Sequence, residues 1–560
     1  MRPLLLVLAL SFGGAVSAPA VHAADLPDQA RVARDAQQLL EQAWPADGPG
    51  AAVLVARGDR VLYRGARGLA DLDAGTPMDV DDTFRIGSVT KQVAAAGLLK
   101  LVEAGKVSLD DPLAKYLPGY PGGTGISVRQ LLNHTSGVKS YTGIPGYMDQ
   151  EVRRDLDTAA LVAVFKDLPV DFAPGADWAY NNSGYVLVGA VIEAASGQPW
   201  HQYLEEALFE PLGMAHTGYG ADPAVVAAQV PGYTFEEDKA VPAKPLSMTQ
   251  PHAAGALVSS VGDLLKWNRA LHEGRVLESD TYRQMVTPVD AAQEAHYGFG
   301  ITRGTLRGED MLQHGGGIHG FLSYLLYLPG SDTTVAVLQN SDRPNGQENP
   351  SAVARKLAAL AIGDPYPAPV AIDVDAATLR QYEGVYRVND EHDRMLRVVD
   401  GKLTGQRTGG GRSALVPIAK DTFLYEDGFN RFELVRDAKG RTTAMRFYPE
   451  GEGEGELAPL TDKPLPSERV ALEVPTAALQ RLVGTYDADA ASMQMEVYVE
   501  DGALMGRMNG HQTFELFAET PERYFLTVVD ATVEFQPGDA PAGGATFRQG
   551  GGTVEFVRVP

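Results

Sequence analysis

The C-terminal third of this chain repeats itself. LRQYEGVY from Leu379 returns as LQRLVGTY from Leu479, 100 residues on. Asp400-Gly401 returns as Asp501-Gly502, Phe423-Leu424 as Tyr524-Phe525, and Phe432-Glu433-Leu434 as Val533-Glu534-Phe535, each after 101 residues. A near-constant offset kept through four segments marks a duplicated structural unit. Each copy consists of short β-rich runs punctuated by turn residues, and a small sheet of such strands removes its exposed edges by closing on itself. The spacing predicts two small antiparallel β-barrels, over 375–463 and 475–560. The acidic, Gly-rich stretch from Pro449 to Pro466 separates them.

At 560 residues the chain is too long for one core. What precedes the duplication therefore reads as a domain of its own, 24–364. It ends in the helix-like run Ser351–Ile362 and a Pro- and Gly-crowded linker, Gly363–Pro369. Ala51–Ala56 and Val61–Gly68 flank Gly58-Asp59 as a hairpin, and Phe321–Leu328 and Thr333–Leu338 are joined through Pro329-Gly330. Between them lie helical patterns, first among them SVTKQVAAAGLLKLVEAG, which stops at Gly105. Residues 1–23 read as a signal peptide, with Arg2, an apolar run from Leu4 to Leu10, and Val21-His22-Ala23 as the cleavage site. A periplasmic or secreted protein is expected. No later stretch has the length of a membrane span.

Cysteine is absent, which excludes disulfides and thiolate chemistry. A net charge of −24 argues against nucleic acid or an anionic membrane as partner. No HExxH or comparable ligand cluster occurs, so no metal or cofactor is expected. A homodimer is compatible with all of this.

Ser88-Val89-Thr90-Lys91 stands where a loop enters the first of those helices. A spacing of three puts the serine and the lysine on one helix face, about 5–6 Å apart at Cβ. Serine needs a base to become a nucleophile, and a desolvated lysine has a pKa lowered enough to serve. The helix start adds N–H groups and positive potential where an oxyanion develops. Taken alone, the pattern is as compatible with a serine cap and a surface lysine.

Its context is more specific. FRIGSVTKQ (84–92), LLNHTSG (131–137), YNNSGYVLVG (180–189), PLGM (211–214), AAGALVSSVGDLLKW (253–267) and HGGGIHGF (314–321) occur in one order. Together they resemble the β-lactamase/penicillin-binding-protein superfamily of serine hydrolases, in particular its class C β-lactamase, DD-carboxypeptidase B and D-aminopeptidase group. The resemblance covers roughly residues 40 to 362. It implies an α+β fold, with an antiparallel sheet of the β-lactamase/transpeptidase type flanked by helices. It also implies Ser88 as acylated nucleophile, Lys91 as its proton acceptor and Tyr180 as general base or acid. Asn182 would bind Lys91 and the substrate amide. The main-chain N–H groups of Ser88 and Gly317 would form the oxyanion hole, and His314 and Gly316 would face the substrate.

Two departures bear on the substrate. Lys-Thr-Gly, the cation-bearing motif of the classical members, is replaced by His314-Gly315-Gly316, which weakens the case for β-lactams and for substrates with a terminal carboxylate. A hydrolase domain followed by two lipocalin-like barrels resembles D-aminopeptidase, where a barrel loop approaches the site. The leading expectation is hydrolysis of D-amino-acid amides or small peptides. A carboxylesterase, DD-carboxypeptidase or β-lactamase with the same residues is the alternative. An acylated penicillin-binding or peptidoglycan-sensing protein without turnover is the third. His134, His216 and His319 are expected to be structural.

Overall fold

The structure is a computed structural model describing residues 27–559, apart from 145, 149–150, 237–238, 343–347, 367–369, 391, 426–427, 468, 489–492, 501, 509–511 and 538–540. The expected signal peptide lies outside these residues.

Strand β1 (Ala51–Arg57) is apolar from Ala51 to Ala56 because both faces of its sheet are covered. Ala52 and Leu54 point into one core, and Ala51, Val53 and Val55 into another, following the two-residue alternation of a strand. With β2 (Arg60–Arg67), β3 (Thr302–Leu306), β4 (Glu309–Ile318), β5 (Phe321–Leu328) and β6 (Thr333–Gln339) it forms a six-stranded sheet in the order β3-β4-β5-β6-β1-β2. The pairs are antiparallel, with Ala51 opposite Gln339 and Gly317 opposite Leu322. The chain's two ends of this region, α1 (Gln29–Ala43) and α5 (Pro350–Ile362), cover one face. The other face carries the helical lobe, including α2 (Thr90–Glu103), α3 (Asn182–Ser196) and α4 (Val261–His272). α2 and α3 are buried nearly all round, which is why neither shows a clear polar stripe.

The duplicated region forms two nearly closed antiparallel barrels. The first is an eight-stranded meander from Gly384–Arg387 to Glu456–Pro459, its ends joined by a bridge between Tyr386 and Leu460. The second runs from Gly484–Ala488 to Gly552–Arg558, and these two strands pair directly. Its sheet is interrupted only between Gln512–Glu515 and Phe517–Ala518, where the first copy keeps one bent strand, Arg412–Ala419. The repeated tyrosine has the same task in each copy. Tyr386 donates to the Tyr382 carbonyl at 2.6 Å, and Tyr486 to the Leu482 carbonyl at 2.7 Å. The interiors are filled by side chains such as Leu396, Phe423, Phe432 and Met445 in the first copy, and Tyr524, Val533 and Phe535 in the second.

The stretch from Pro449 to Pro466 does not simply separate the barrels. Glu456–Pro459 is the last strand of the first barrel, paired with Thr442–Tyr448. The hairpin loop before it hooks onto the N-terminal domain, because its carboxylates find cations and donors there. Glu452 accepts from the Arg307 amide at 2.7 Å and the Tyr366 hydroxyl at 2.9 Å, and Glu450 pairs with Arg355 at 3.2 Å. The matching turn of the second barrel, Gly550-Gly551, instead lies against the first, where neighbouring Gln549 donates to the Gly409 carbonyl at 2.9 Å. No helix among the described residues is long and apolar enough to cross a membrane.

Candidate active site

Ser88 lies in a single 3-10 turn, Gly87–Val89, that leads into α2. The preceding residue makes this turn possible. Gly87 has φ +48°, a left-handed conformation that favours glycine, and a Cβ there would stand 3.0 Å from the Gly317 nitrogen. The same crowding explains Gly316, where a Cβ would overlap the Ile86 carbonyl oxygen and Ser323 Oγ. Ser323 Oγ donates to that carbonyl at 2.7 Å, tying β5 to the serine turn. β4 is an inner strand of the sheet, yet its pairing with β3 ends at Gln313. From His314 to Ile318 it has β5 on one side and an open edge on the other. The Gly317 nitrogen is therefore held beside Gly87 and Ser88, as an oxyanion site requires.

Lys91 is fully buried. Its Nζ lies 3.1 Å from Ser88 Oγ, 2.9 Å from Asn182 Oδ1 and 2.8 Å from the Ala254 carbonyl. Burial drives its pKa well below the ordinary lysine range. A neutral amine has two N–H bonds and one lone pair. Two of its three neighbours are carbonyl oxygens, which can only accept. The two N–H bonds are thereby committed, and the lone pair is left for the Ser88 hydroxyl. Asn182 is held in this role from both ends. Its Nδ2 donates to Thr142 Oγ1 at 3.1 Å, and the Asn181 side chain caps α3 by accepting from the Gly184 amide at 2.8 Å.

The Tyr180 hydroxyl is close enough to Ser88 for the serine to act on its ionisation, and its ring centre lies 4.7 Å from Lys91 Nζ. Although the residue is 40% exposed, its hydroxyl is turned inward, and desolvation raises its pKa above the usual phenol value. Lysine and tyrosine are thus pushed apart, toward a neutral amine beside a neutral phenol. Separated pKa values of this kind assign base and acid.

His314 sits beneath this group, 5% exposed. Its Nδ1 is 2.6 Å from the Gly315 carbonyl, which fixes the proton on that nitrogen, and its Nε2 accepts from the Tyr297 hydroxyl at 2.9 Å. Burial lowers its pKa to about 4. It is a neutral strut. His134 is buried at 4.5 Å from the Tyr180 ring and accepts from the Asn181 amide at 3.1 Å. His319 lines the cavity in front of Ser88.

That cavity, of about 360 Å³, is lined by Ser88, Asn182 and Gly317 and by the apolar side chains of Met148, Leu246 and Ile318. None of its lining residues belongs to a barrel. His314 and Gly316, expected to face the substrate, are not among them. The structure brings Ser88, Lys91, Tyr180, Asn182 and Gly317 together. Sequence reasoning missed Thr142, the Ala254 carbonyl and Tyr297. Only Ala254 lay inside a motif, and a main-chain oxygen carries no signature in a side-chain pattern. Among the described residues no group of three or more His, Asp or Glu could hold a metal ion.

Fold and site together match the class of serine hydrolases in which a serine and a lysine share one helix start, as Ser88 and Lys91 do here. The β-lactamase family model matches residues 36–360, and the chain belongs to the β-lactamase family. D-aminopeptidase from Brucella canis is 25% identical over 504 residues, 88% of this chain and 90% of that protein, so the likeness extends through the barrels. Esterase EstB from Burkholderia gladioli is 37% identical over 184 residues, 30% of this chain and 47% of that protein. Among solved structures, D-amino acid amidase from Ochrobactrum anthropi SV3 complexed with L-phenylalanine shares the fold. Its TM-score is 0.51 at 24% identity, covering 58% of this chain and 98% of that one.

Proposed function

We propose that the protein hydrolyses D-amino-acid amides or short peptides through an acyl-Ser88 intermediate. The observation that carries the chemistry is the lone pair of Lys91, freed for Ser88 by two carbonyl oxygens. As Ser88 Oγ bonds to the substrate carbonyl carbon, its proton passes to Lys91 Nζ, and the oxyanion is held by the Ser88 and Gly317 N–H groups. Tyr180 then gives its proton to the leaving nitrogen, and the new Lys91 ammonium stabilises the phenolate left behind. In the second half, water adds to the acyl carbon, its proton goes to the phenolate, and the Lys91 proton returns to Ser88. The products are a carboxylic acid and an amine. The choice of substrate leans on the extent of the likeness to D-aminopeptidase.

A second reading, carboxylesterase, is favoured by the cavity itself. Much of its lining is apolar, and among the described residues that line it none is a carboxylate that would pair with a substrate ammonium and none belongs to a barrel. The reading includes export, with cleavage near Ala23 and a periplasmic or extracellular mature protein. The deciding experiment compares wild type and Ser88→Ala on D- and L-amino-acid p-nitroanilides, p-nitrophenyl acetate, nitrocefin and a D-Ala-D-Ala peptide. The proposal expects D-anilides to be the best substrates and Ser88→Ala to be inactive on all of them. Ester turnover without anilide turnover transfers the conclusion to the esterase reading, and full activity in Ser88→Ala overturns both. Edman sequencing of the mature protein from the extracellular and periplasmic fractions tests the start at Ala24.

A further inference from the structure

The part of β4 that supplies the Gly317 N–H is a run of three glycines, Gly315-Gly316-Gly317, paired with β5 on one side only. Glycine loses more backbone freedom on ordering than any other residue. Such an edge needs a second fastening if its N–H is to stay aimed beside Ser88. β3 does not provide one, because its last pair with β4 is Thr302 opposite Gln313.

Tyr297 takes over where that pairing stops. Its main chain forms a bridge with Thr302, the residue that makes the last pair, and its own amide donates to the Ala292 carbonyl at 3.1 Å. Its side chain is buried, and its hydroxyl meets His314 Nε2 at 2.9 Å, one residue past Gln313. A hydroxyl donates to Nε2 only where that nitrogen carries no proton, so the neutral imidazole holds its proton on Nδ1. Nδ1 is the nitrogen that lies 2.6 Å from the Gly315 carbonyl. The phenol thereby selects the tautomer that clamps the first of the three glycines. The other tautomer would set two acceptors, Nδ1 and the carbonyl oxygen, against each other. Beyond Gly315 there is little slack, since Gly316 packs against the Ile86 carbonyl and Ser323 Oγ, and the Gly317 nitrogen lies beside Gly87. A shift at Gly315 is carried on to Gly317.

We propose that Tyr297 is a positioning residue for the oxyanion hole, acting through His314 and the Gly315 carbonyl on the Gly317 N–H. The inference rests on Ser88 being the nucleophile and Gly317 an oxyanion donor. Because the Tyr297 ring also stands edge-on to Tyr180, 6.2 Å between centres, the test has to separate oxyanion binding from proton transfer.

Tyr297→Phe keeps the ring and removes the hydroxyl. It is compared with wild type on 4-nitrophenyl acetate and on the thiono analogue, in which C=S replaces C=O, in single turnover with enzyme in excess. Sulfur is a weak acceptor, so its developing anion gains little from the Gly317 N–H. Tyr297→Phe should slow the oxygen ester by about ten- to a hundredfold, below the about 10²–10³ lost when an oxyanion donor is removed outright. It should slow the thiono ester by no more than about threefold. The pH at which the oxygen-ester rate rises should stay as in wild type, because the contacts of Lys91 are untouched. His314→Leu should slow the oxygen ester similarly, and the double variant should be no worse than the poorer single one, since the two side chains act in series. Urea midpoints report that each variant is folded. Equal slowing of both esters, multiplicative losses in the double variant, or a displaced pH limb overturns the inference. If wild type is active on the oxygen ester and Tyr297→Phe matches it, the inference alone falls. If wild type turns over neither ester, the proposed function falls first and this inference with it.

Discussion

Acidification should unfold the hydrolase domain well before its carboxylates titrate. His134, His252 and His314 are 1%, 3% and 5% exposed. Burial lowers His252 to about 3 and His314 to about 4, and takes His134 well below the usual imidazole value. In the unfolded chain all three bind protons as pH falls through about 6.5. The folded domain stays unprotonated at His252 and His314 down to near pH 4, and at His134 to well below the usual imidazole value. The unfolded state therefore holds more protons across this window, and stability is fully present above it and lost as pH falls through it. Each histidine contributes about 1.4 kcal/mol per pH unit, so three approach about 4 kcal/mol per unit. By pH 4.5 His252 and His314 alone take the loss to roughly 5 kcal/mol, a large part of the roughly 5–15 kcal/mol that holds a typical domain together. All four tryptophans, Trp44, Trp178, Trp200 and Trp267, lie in the hydrolase domain, so their fluorescence follows that domain alone. Urea midpoints should fall steadily from pH 7.5 to 5, and His252→Gln should make that slope shallower. The sign is diagnostic. Acid also shrinks the net charge of −24 and so relieves self-repulsion, which on its own would raise the midpoint. A midpoint that is level or rising between pH 7.5 and 5.5 would refute the reasoning.

Three further outcomes are expected. Lys91→Met and Tyr180→Phe should each lower kcat by about 10²–10⁴, with the double variant far from multiplicative because the two act as one unit. In wild type kcat/KM should rise with pH through a lysine pKa below its ordinary range, and stopped-flow pH profiles of Lys91→Met should lack that limb. Gly316→Val should destabilise the domain by about 1–3 kcal/mol and abolish turnover, since any Cβ there meets the Ile86 carbonyl; urea melts and ester rates read both. Tyr486→Phe should leave kcat unchanged but strand the buried Leu482 carbonyl, lowering the calorimetric stability of the second barrel by about 1–3 kcal/mol.

The sequence made visible those features that depend on side-chain type and spacing. Ser88 and Lys91 reveal themselves by an interval of three. The repeated tyrosines reveal the duplication because each must reach a carbonyl four residues back, and no other side chain of that length carries a terminal hydroxyl. What stayed hidden depends on the main chain or on contacts distant in sequence. The Ala254 carbonyl that orients Lys91 lies 163 residues away from it, and any residue could supply it. His314 looked like a group facing the substrate because its motif neighbours do so elsewhere. Its burial follows from Tyr297, a partner outside every motif. The acidic stretch after Tyr448 looked like a linker by composition alone, since Glu and Gly are also what a hook onto Arg307 and Arg355 needs.

That hook gives the duplication a direction. The final hairpin of the first barrel grips the hydrolase domain, and the corresponding turn of the second rests on the Gly409–Gly411 loop of the first. Each copy thus attaches by one corner and receives its successor at a different one, the head-to-tail geometry that generates open arrays rather than closed pairs. A module with this polarity can be lengthened by gene duplication without redesigning an interface. The seven residues between Tyr448 and Glu456 in the first copy, against two between Gln549 and Gly552 in the second, are where the first copy meets a surface unlike its own. Everything added after it could be docked onto its own kind.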